Sequence, residues 1–222
     1  DLPGFGRSDK PLDTRYNFRF YSNTLNGFLN ALGLKQVGLV VHDLGGPVGI
    51  YWAQENLSRL SSLAILNTLV YPQLSWAVKL FMASTYMPVV KQWLTSHTGF
   101  KATLKLGIYN GHRITPALVE AYQQPFVTEE ARAALLLSAQ GLSPKGFATM
   151  AARLPEIKVP VHLIYGENDR LLPDVARTMA RLQCDIPQAE LTSFPDCGHF
   201  LQEDEPAKLG RVLSGFFRGN TG

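Results

Sequence analysis

Residues 37–47 read Val37-Gly-Leu-Val-Val-His-Asp-Leu-Gly-Gly-Pro47. The run 37–41 is short and nearly continuous in apolar residues, which suits a strand buried on both sides of a parallel sheet. His42 and Asp43 follow it. Gly45 and Gly46 then supply the small residues a sharp strand-to-helix turn needs, and Pro47 is tolerated in the first turn of a helix carrying Val48, Ile50, Tyr51 and Trp52. Such a turn lifts its central side chain, Asp43, out of the sheet and aims helix N–H groups at the same point. A carboxylate there faces the positive end of the helix dipole and is expected to be ionised.

Upstream, residues 1–16 are rich in Gly, Pro and Asp and read as loop. Tyr21, Leu25, Phe28, Leu29 and Leu32 share one helical face, and Gly33 follows as a natural cap. Downstream, residues 63–66 are a second strand. Residues 71–155 hold no convincing strand but long helical stretches and many aromatics, among them Trp76, Phe81, Tyr86, Trp93, Phe100, Tyr109, Tyr122 and Phe126. Alternation then resumes: strand 161–165, helix 173–182, strand 189–194, and a closing helix 206–217. Alternating strands and helices predict an α/β fold with a mostly parallel sheet flanked by helices, interrupted by a helical insertion. The domain reading is a core of residues 1–70 and 156–222 and a helical unit of residues 71–155.

Composition narrows the function. The chain has 222 residues, 45% hydrophobic and 18% charged, which is globular rather than disordered. Its net charge, 21 − 18 = +3, with no Lys/Arg cluster, gives no reason to expect nucleic acid or a membrane surface. Cys184 and Cys197 allow one disulfide at most, and no zinc spacing exists. The uncharged stretch within 80–90 is too short to span a bilayer. No cofactor or metal is implied. Neither nucleic acid nor membrane is an expected partner, and a cytoplasmic setting is expected; the oligomeric state is not readable.

In open α/β sheets, ligands bind at the carboxyl ends of the strands. The polar residues just past the strands are therefore the informative ones: His42 and Asp43, Asn67 and Thr68, residues 167–169, and residues 196–199. Taken singly, each has an ordinary explanation. A strand-end Asp is commonly a helix cap, and a lone His is commonly a satisfied, partly buried one. Taken together, Asp43, Asp169 and His199 follow the chain order nucleophile, acid, histidine at one sheet edge. A dinucleotide site is excluded, because Gly45, Gly46 and Gly49 do not form G-x-G-x-x-G and a carboxylate in the turn would repel a pyrophosphate.

The stretches Asp1-Leu-Pro-Gly-Phe-Gly-Arg-Ser-Asp9, Val40-Val-His-Asp-Leu-Gly-Gly-Pro47, Leu66-Asn-Thr68, Tyr165-Gly-Glu-Asn-Asp169 and Gly198-His-Phe200 together resemble the α/β-hydrolases of the haloalkane dehalogenase and epoxide hydrolase group. The resemblance implies that Asp43 is the nucleophile, His199 the general base and Asp169 the residue that orients it. It also implies that residues 71–155 are a cap over the active site. Three departures stand out. Family members carry upstream strands and a His-Gly loop that donates one oxyanion-hole N–H, and this sequence contains neither. The N-terminal part of the core is therefore expected to be absent, leaving the sheet edge beside residues 37–41 uncovered. Typical dehalogenases have Trp after the nucleophile, where this chain has Leu44. Epoxide hydrolases usually have Gly two before it, where this chain has Val41, as in the dehalogenase branch.

An ionised Asp needs no proton removed before it attacks. Attack on an acyl carbon gives a mixed anhydride, whereas attack on a saturated carbon or a strained ring gives a stable alkyl ester. His199 then activates water against that ester, with the Leu44 N–H as one oxyanion donor. The expected function is haloalkane dehalogenase-like hydrolysis of a small apolar substrate. The alternatives are an epoxide hydrolase, an esterase- or lactonase-like hydrolase in which Asp43 is not the nucleophile, and an idle hydrolase-fold binding protein. A halide would need weak donors, for which Trp76 and Trp93 are candidates. An epoxide oxygen would need an acid, for which Tyr71, Tyr86, Tyr109 and Tyr122 are candidates. Packing is the commoner explanation for any single one of these aromatics. His42 is a candidate wall of the substrate site.

Overall fold

The computed structural model describes residues 1–141 and 143–220. Four strands form one parallel sheet in the order β1-β2-β3-β4: β1 (Val37–Asp43), β2 (Leu60–Thr68), β3 (Val161–Gly166) and β4 (Glu190–Phe194). Helices α1 (Phe18–Ala31) and α2 (Gly45–Glu55) flank β1 in sequence. Helix α9 (Val175–Asp185) links β3 to β4, and α10 (Leu201–Asp204) and α11 (Pro206–Gly219) close the chain.

Side chains of β2 alternate between two cores, as a strand covered on both faces requires. Leu63 and Ile65 pack with Ile50, Trp52 and Ala53 of α2 and with Met179 and Leu182 of α9. Ala64 and Leu66 pack with Ile164, Phe194 and Leu209, backed by Val212 and Phe216 of α11. Each fully buried aliphatic side chain here contributes about 1.5–3 kcal/mol.

Between β2 and β3 lie only helices among the described residues: α3 (Trp76–Ser84), α4 (Pro88–Leu94), α5 (His97–Gly107), α6 (Pro116–Gln123), α7 (Glu129–Gln140) and α8 (Pro144–Ala152). Five of the six start at a Ser or Thr whose side chain accepts a first-turn N–H: Ser75, Ser96, Thr115, Thr128 and Ser143. Such caps satisfy donors that the helix itself cannot. The insertion is thus punctuated by local chemistry rather than by one long amphipathic pattern. No helix among the described residues is long and apolar enough to cross a membrane.

Two expectations are corrected. Strand β1 is not buried on both sides: its burial alternates, and Val40 is 45% exposed. The reason is its place at the sheet edge, with β2 as its one ladder partner among the described residues. The first two strands also run further than the apolar pattern predicts. Asp43 still pairs with Thr68, so His42, Asp43, Asn67 and Thr68 are the last residues of their ladders rather than loop residues beyond them.

Candidate active site

Asp43 closes β1 with φ 47, the one positive φ at a non-glycine residue among those described. This left-handed backbone is costly for a residue with a Cβ and persists only where its surroundings enforce it. The enforcement is visible. The Thr68 hydroxyl donates to the Asp43 carbonyl oxygen at 2.6 Å. Helix α2 begins immediately after, so close that a Cβ on Gly46 would lie 1.8 Å from Thr68 Oγ1. Glycine at 46 is what lets the helix approach.

The Asp43 side chain is 55% exposed, so the carboxylate lies at an open surface of the site rather than in the core. Its Oδ1 is 3.4 Å from His199 Nε2. The surrounding protein atoms oppose its ionisation, but the hydrogen bond and positive field of His199, helped by the Leu44 N–H, outweigh them and hold the carboxyl down at about 2.

His199 follows β4 and is buried. Its Nδ1 lies 2.8 Å from Asp169 Oδ2. Burial alone would favour the neutral ring, but bonds to Asp169 and Asp43 prevail and raise its pKa to about 10. Asp169 follows β3 and is also buried. Its Oδ2 also accepts from Asn67 Nδ2 at 2.7 Å, and its Oδ1 accepts the Leu171 and Leu172 N–H groups at 2.9 and 2.7 Å. Burial works against that carboxylate, yet the hydrogen bond and charge of His199, then Asn67 and the Leu172 N–H, hold its pKa below the ordinary value.

His42 sits beside the pair, its ring centroid 4.8 Å from that of His199. Its Nε2 lies 2.9 Å from the His199 carbonyl oxygen, so Nε2 carries the proton. Burial, then the positive His199, push its pKa down to about 4, and it stays neutral at neutral pH.

Asp43, His199, Asp169, His42 and Leu44 lie together at the strand ends. The aromatic candidates are exposed or hydrogen-bonded elsewhere. Trp76 is 74% exposed and Trp93 49% exposed. Tyr109 is also exposed and is tied down by its backbone N–H. Tyr71 and Tyr122 donate their hydroxyls to Asp185 and Glu203, at 2.7 and 2.8 Å. Burial and those carboxylates raise both phenols, which makes them poor acids. Asn67 and Thr68 are hydrogen-bonded to Asp169 and to the Asp43 carbonyl, partners the sequence does not reveal, although their strand-end position marks them.

The pattern of the alpha/beta hydrolase fold family matches residues 1–206. A 2-hydroxy-6-oxononadienedioate/2-hydroxy-6-oxononatrienedioate hydrolase of Burkholderia vietnamiensis is 26% identical over 225 residues, 98% of this chain and 75% of that protein. A haloalkane dehalogenase of Psychrobacter cryohalolentis is 27% identical over 241 residues, 99% of this chain and 73% of that protein. Among solved structures, the haloalkane dehalogenase DbeA from Bradyrhizobium elkani superposes with a TM-score of 0.83 at 23% identity, covering 99% of this chain and 79% of that one.

Proposed function

The chain belongs to the alpha/beta hydrolase fold family, and from that premise we propose that it hydrolyses a carbon–halogen bond of a small apolar substrate through an ester on Asp43. The observation that carries this reading is the Asp43–His199–Asp169 relay, with a carboxylate rather than a hydroxyl at the strained turn.

In the first step an Asp43 oxygen attacks the substrate carbon from the side opposite the halogen. The carbon–oxygen bond forms, the carbon–halogen bond breaks, and the halide leaves with the electron pair. In the second step His199 Nε2 takes a proton from water and the hydroxide adds to the Asp43 carboxyl carbon. The oxyanion that forms meets the Leu44 N–H at the start of α2. Collapse breaks the bond between the carboxyl carbon and the alkyl oxygen. The alcohol departs with the proton from His199, and the acid left on Asp43 ionises. Asp169 holds the ring in the orientation this requires.

His199 carries a proton in the resting site because two carboxylates face it. Esterification of Asp43 removes one of those charges. The ring pKa then falls, and the proton leaves just when a base is needed. The same chemistry weighs against a carbon–carbon hydrolase reading drawn from the Burkholderia relative, because a carboxylate adding to an acyl carbon would give a mixed anhydride. The engagement of Tyr71 and Tyr122 with carboxylates weighs against epoxide opening. Residues 71–155 serve as the cap and residues 1–70 and 156–222 as the core.

The test is intact mass spectrometry of His199→Ala after incubation with haloalkanes and epoxides of distinct mass. The expected result is a mass gain equal to a haloalkane less its hydrogen halide, absent in Asp43→Asn. A gain equal to a whole epoxide would transfer the reading to ring opening. No adduct with any compound would overturn the aspartyl-ester mechanism.

A further inference from the structure

Asp204, in the short helix after the His199 loop, is 2% exposed. Both of its oxygens are committed to backbone amides. Oδ2 accepts the Gly198 N–H at 2.8 Å and the Tyr109 N–H at 3.0 Å, and Oδ1 accepts the Asn110 N–H at 2.8 Å. Among the described residues no Lys, Arg or His forms an ion pair with it. A buried carboxylate without a cation is costly, and charge-assisted bonds to N–H groups are what offset that cost here.

We propose that Asp204 is a positioning residue for His199, acting through the Gly198 amide, and that the same carboxylate ties the base-bearing loop to the helical insertion at Tyr109 and Asn110. Every neighbouring backbone anchor agrees. The Phe200 N–H donates to the Gly107 carbonyl at 3.2 Å. A Cβ on Gly198 would lie 2.3 Å from that same Gly107 oxygen, so the two segments meet backbone to backbone. The Gly198 carbonyl accepts from Asn67 Nδ2 at 3.4 Å and the His199 carbonyl from His42 at 2.9 Å. The loop is thus gripped from the sheet by Asn67 and His42, and from the insertion through Asp204. A shift of residues 107–110 must pull on Gly198, and Gly198 sets the direction from which the His199 ring meets Asp169. Its catalytic consequence rests on the reading of His199 as the base, but the placement does not.

Asp204→Asn is the near-isosteric probe. Whichever way the amide lies, its NH2 group confronts at least one backbone N–H, donor against donor. The experiment needs no substrate, so its failure is separate from failure of the hydrolase reading. Ring nitrogens of 15N-histidine-labelled wild type and Asp204→Asn are titrated by NMR. The expected result is a fall of about one unit or more in the His199 midpoint as its bond to Asp169 loosens, with His162 in β3 unmoved. An unmoved His199 in the folded variant overturns the proposal. Should the variant not fold, native-state hydrogen exchange of the unaltered chain decides. Gly198, Tyr109 and Asn110 are expected to exchange at one common rate, and a Gly198 amide that opens independently of the other two overturns the proposal.

Discussion

Asn67 Nδ2 lies 2.7 Å from Asp169 Oδ2, the same oxygen that meets His199 Nδ1 at 2.8 Å, while Asn67 Oδ1 accepts the Gly166 N–H at 3.0 Å. One buried amide therefore joins β2, β3 and the carboxylate that meets the His199 ring. Asn67→Ala strips a donor from a buried carboxylate and an acceptor from a buried N–H. A loss of about 2–4 kcal/mol is expected from those two unpaired groups, read as a lower urea midpoint. An unchanged midpoint would mean that Asp169 is held adequately without it.

The turn at Asp43 makes a contrasting pair of predictions. Nothing lies within 4 Å of a Cβ built on Gly45, whereas one built on Gly46 would strike Thr68. Gly45→Ala at the start of α2 is expected to be neutral or to stabilise by about 0.4–1 kcal/mol. Gly46→Ala is expected to push α2 off Thr68, costing at least about 1–3 kcal/mol as overpacking and removing activity. Thermal melts of the two variants side by side check this, and equal melts would refute the close approach.

His42 is a bonded, neutral ring whose pKa is pushed down to about 4 from 6.5. As pH falls below about 6.5 the unfolded chain takes up a proton that the folded ring refuses, so this group's share of stability declines progressively toward pH 4. His42→Gln keeps a donor for the His199 carbonyl but cannot titrate. It is expected to flatten the acid limb of stability between pH 6.5 and 4 in urea titrations. An identical limb in both proteins would assign the acid sensitivity to other groups.

His199 has the opposite sign. Its folded pKa lies near 10, above the ordinary 6.5, so its stabilising share is full below about pH 6.5 and is lost as pH rises through 10. Asp43 and Asp169, both lowered, contribute above their unfolded values and lose that share as pH falls through the folded ones, about 2 for Asp43. His199→Gln is expected to lose most stability, relative to wild type, at pH 6.5 and least at pH 10. A constant difference across that range would show that the ring is not charged in the resting protein.

How much of this was legible depends on the range of the signal. Asp43, Asp169 and His199 stand out because each follows an apolar strand, and strand ends in a parallel sheet share an edge. The apolar run 37–41 by itself overstates the burial of β1, because such a run does not reveal whether its strand is central or at an edge. Asp204 gives no sequence signal at all. It sits in the run Glu203-Asp204-Glu205, which has the look of a solvated helix face, and its amide partners at 109 and 110 are almost a hundred residues away. Asn67 falls between these cases, since its strand-end position is visible but its bond to Asp169 is not.

In the resting site the His199 ring is held charged by Asp43 at 3.4 Å and Asp169 at 2.8 Å. On the proposed mechanism, alkylation neutralises Asp43 without touching Asp169, so about half of the carboxylate charge that stabilises the imidazolium disappears in one step. The ring must then release its proton before water can be activated. In a weakly buffered single turnover followed with a pH indicator, about one proton per active site is expected to appear with the halide, ahead of the alcohol. Asp43→Asn should give neither halide nor proton. A proton that appears only with the alcohol would show that His199 is already neutral in the resting protein, and that Asp43 is not what keeps it charged.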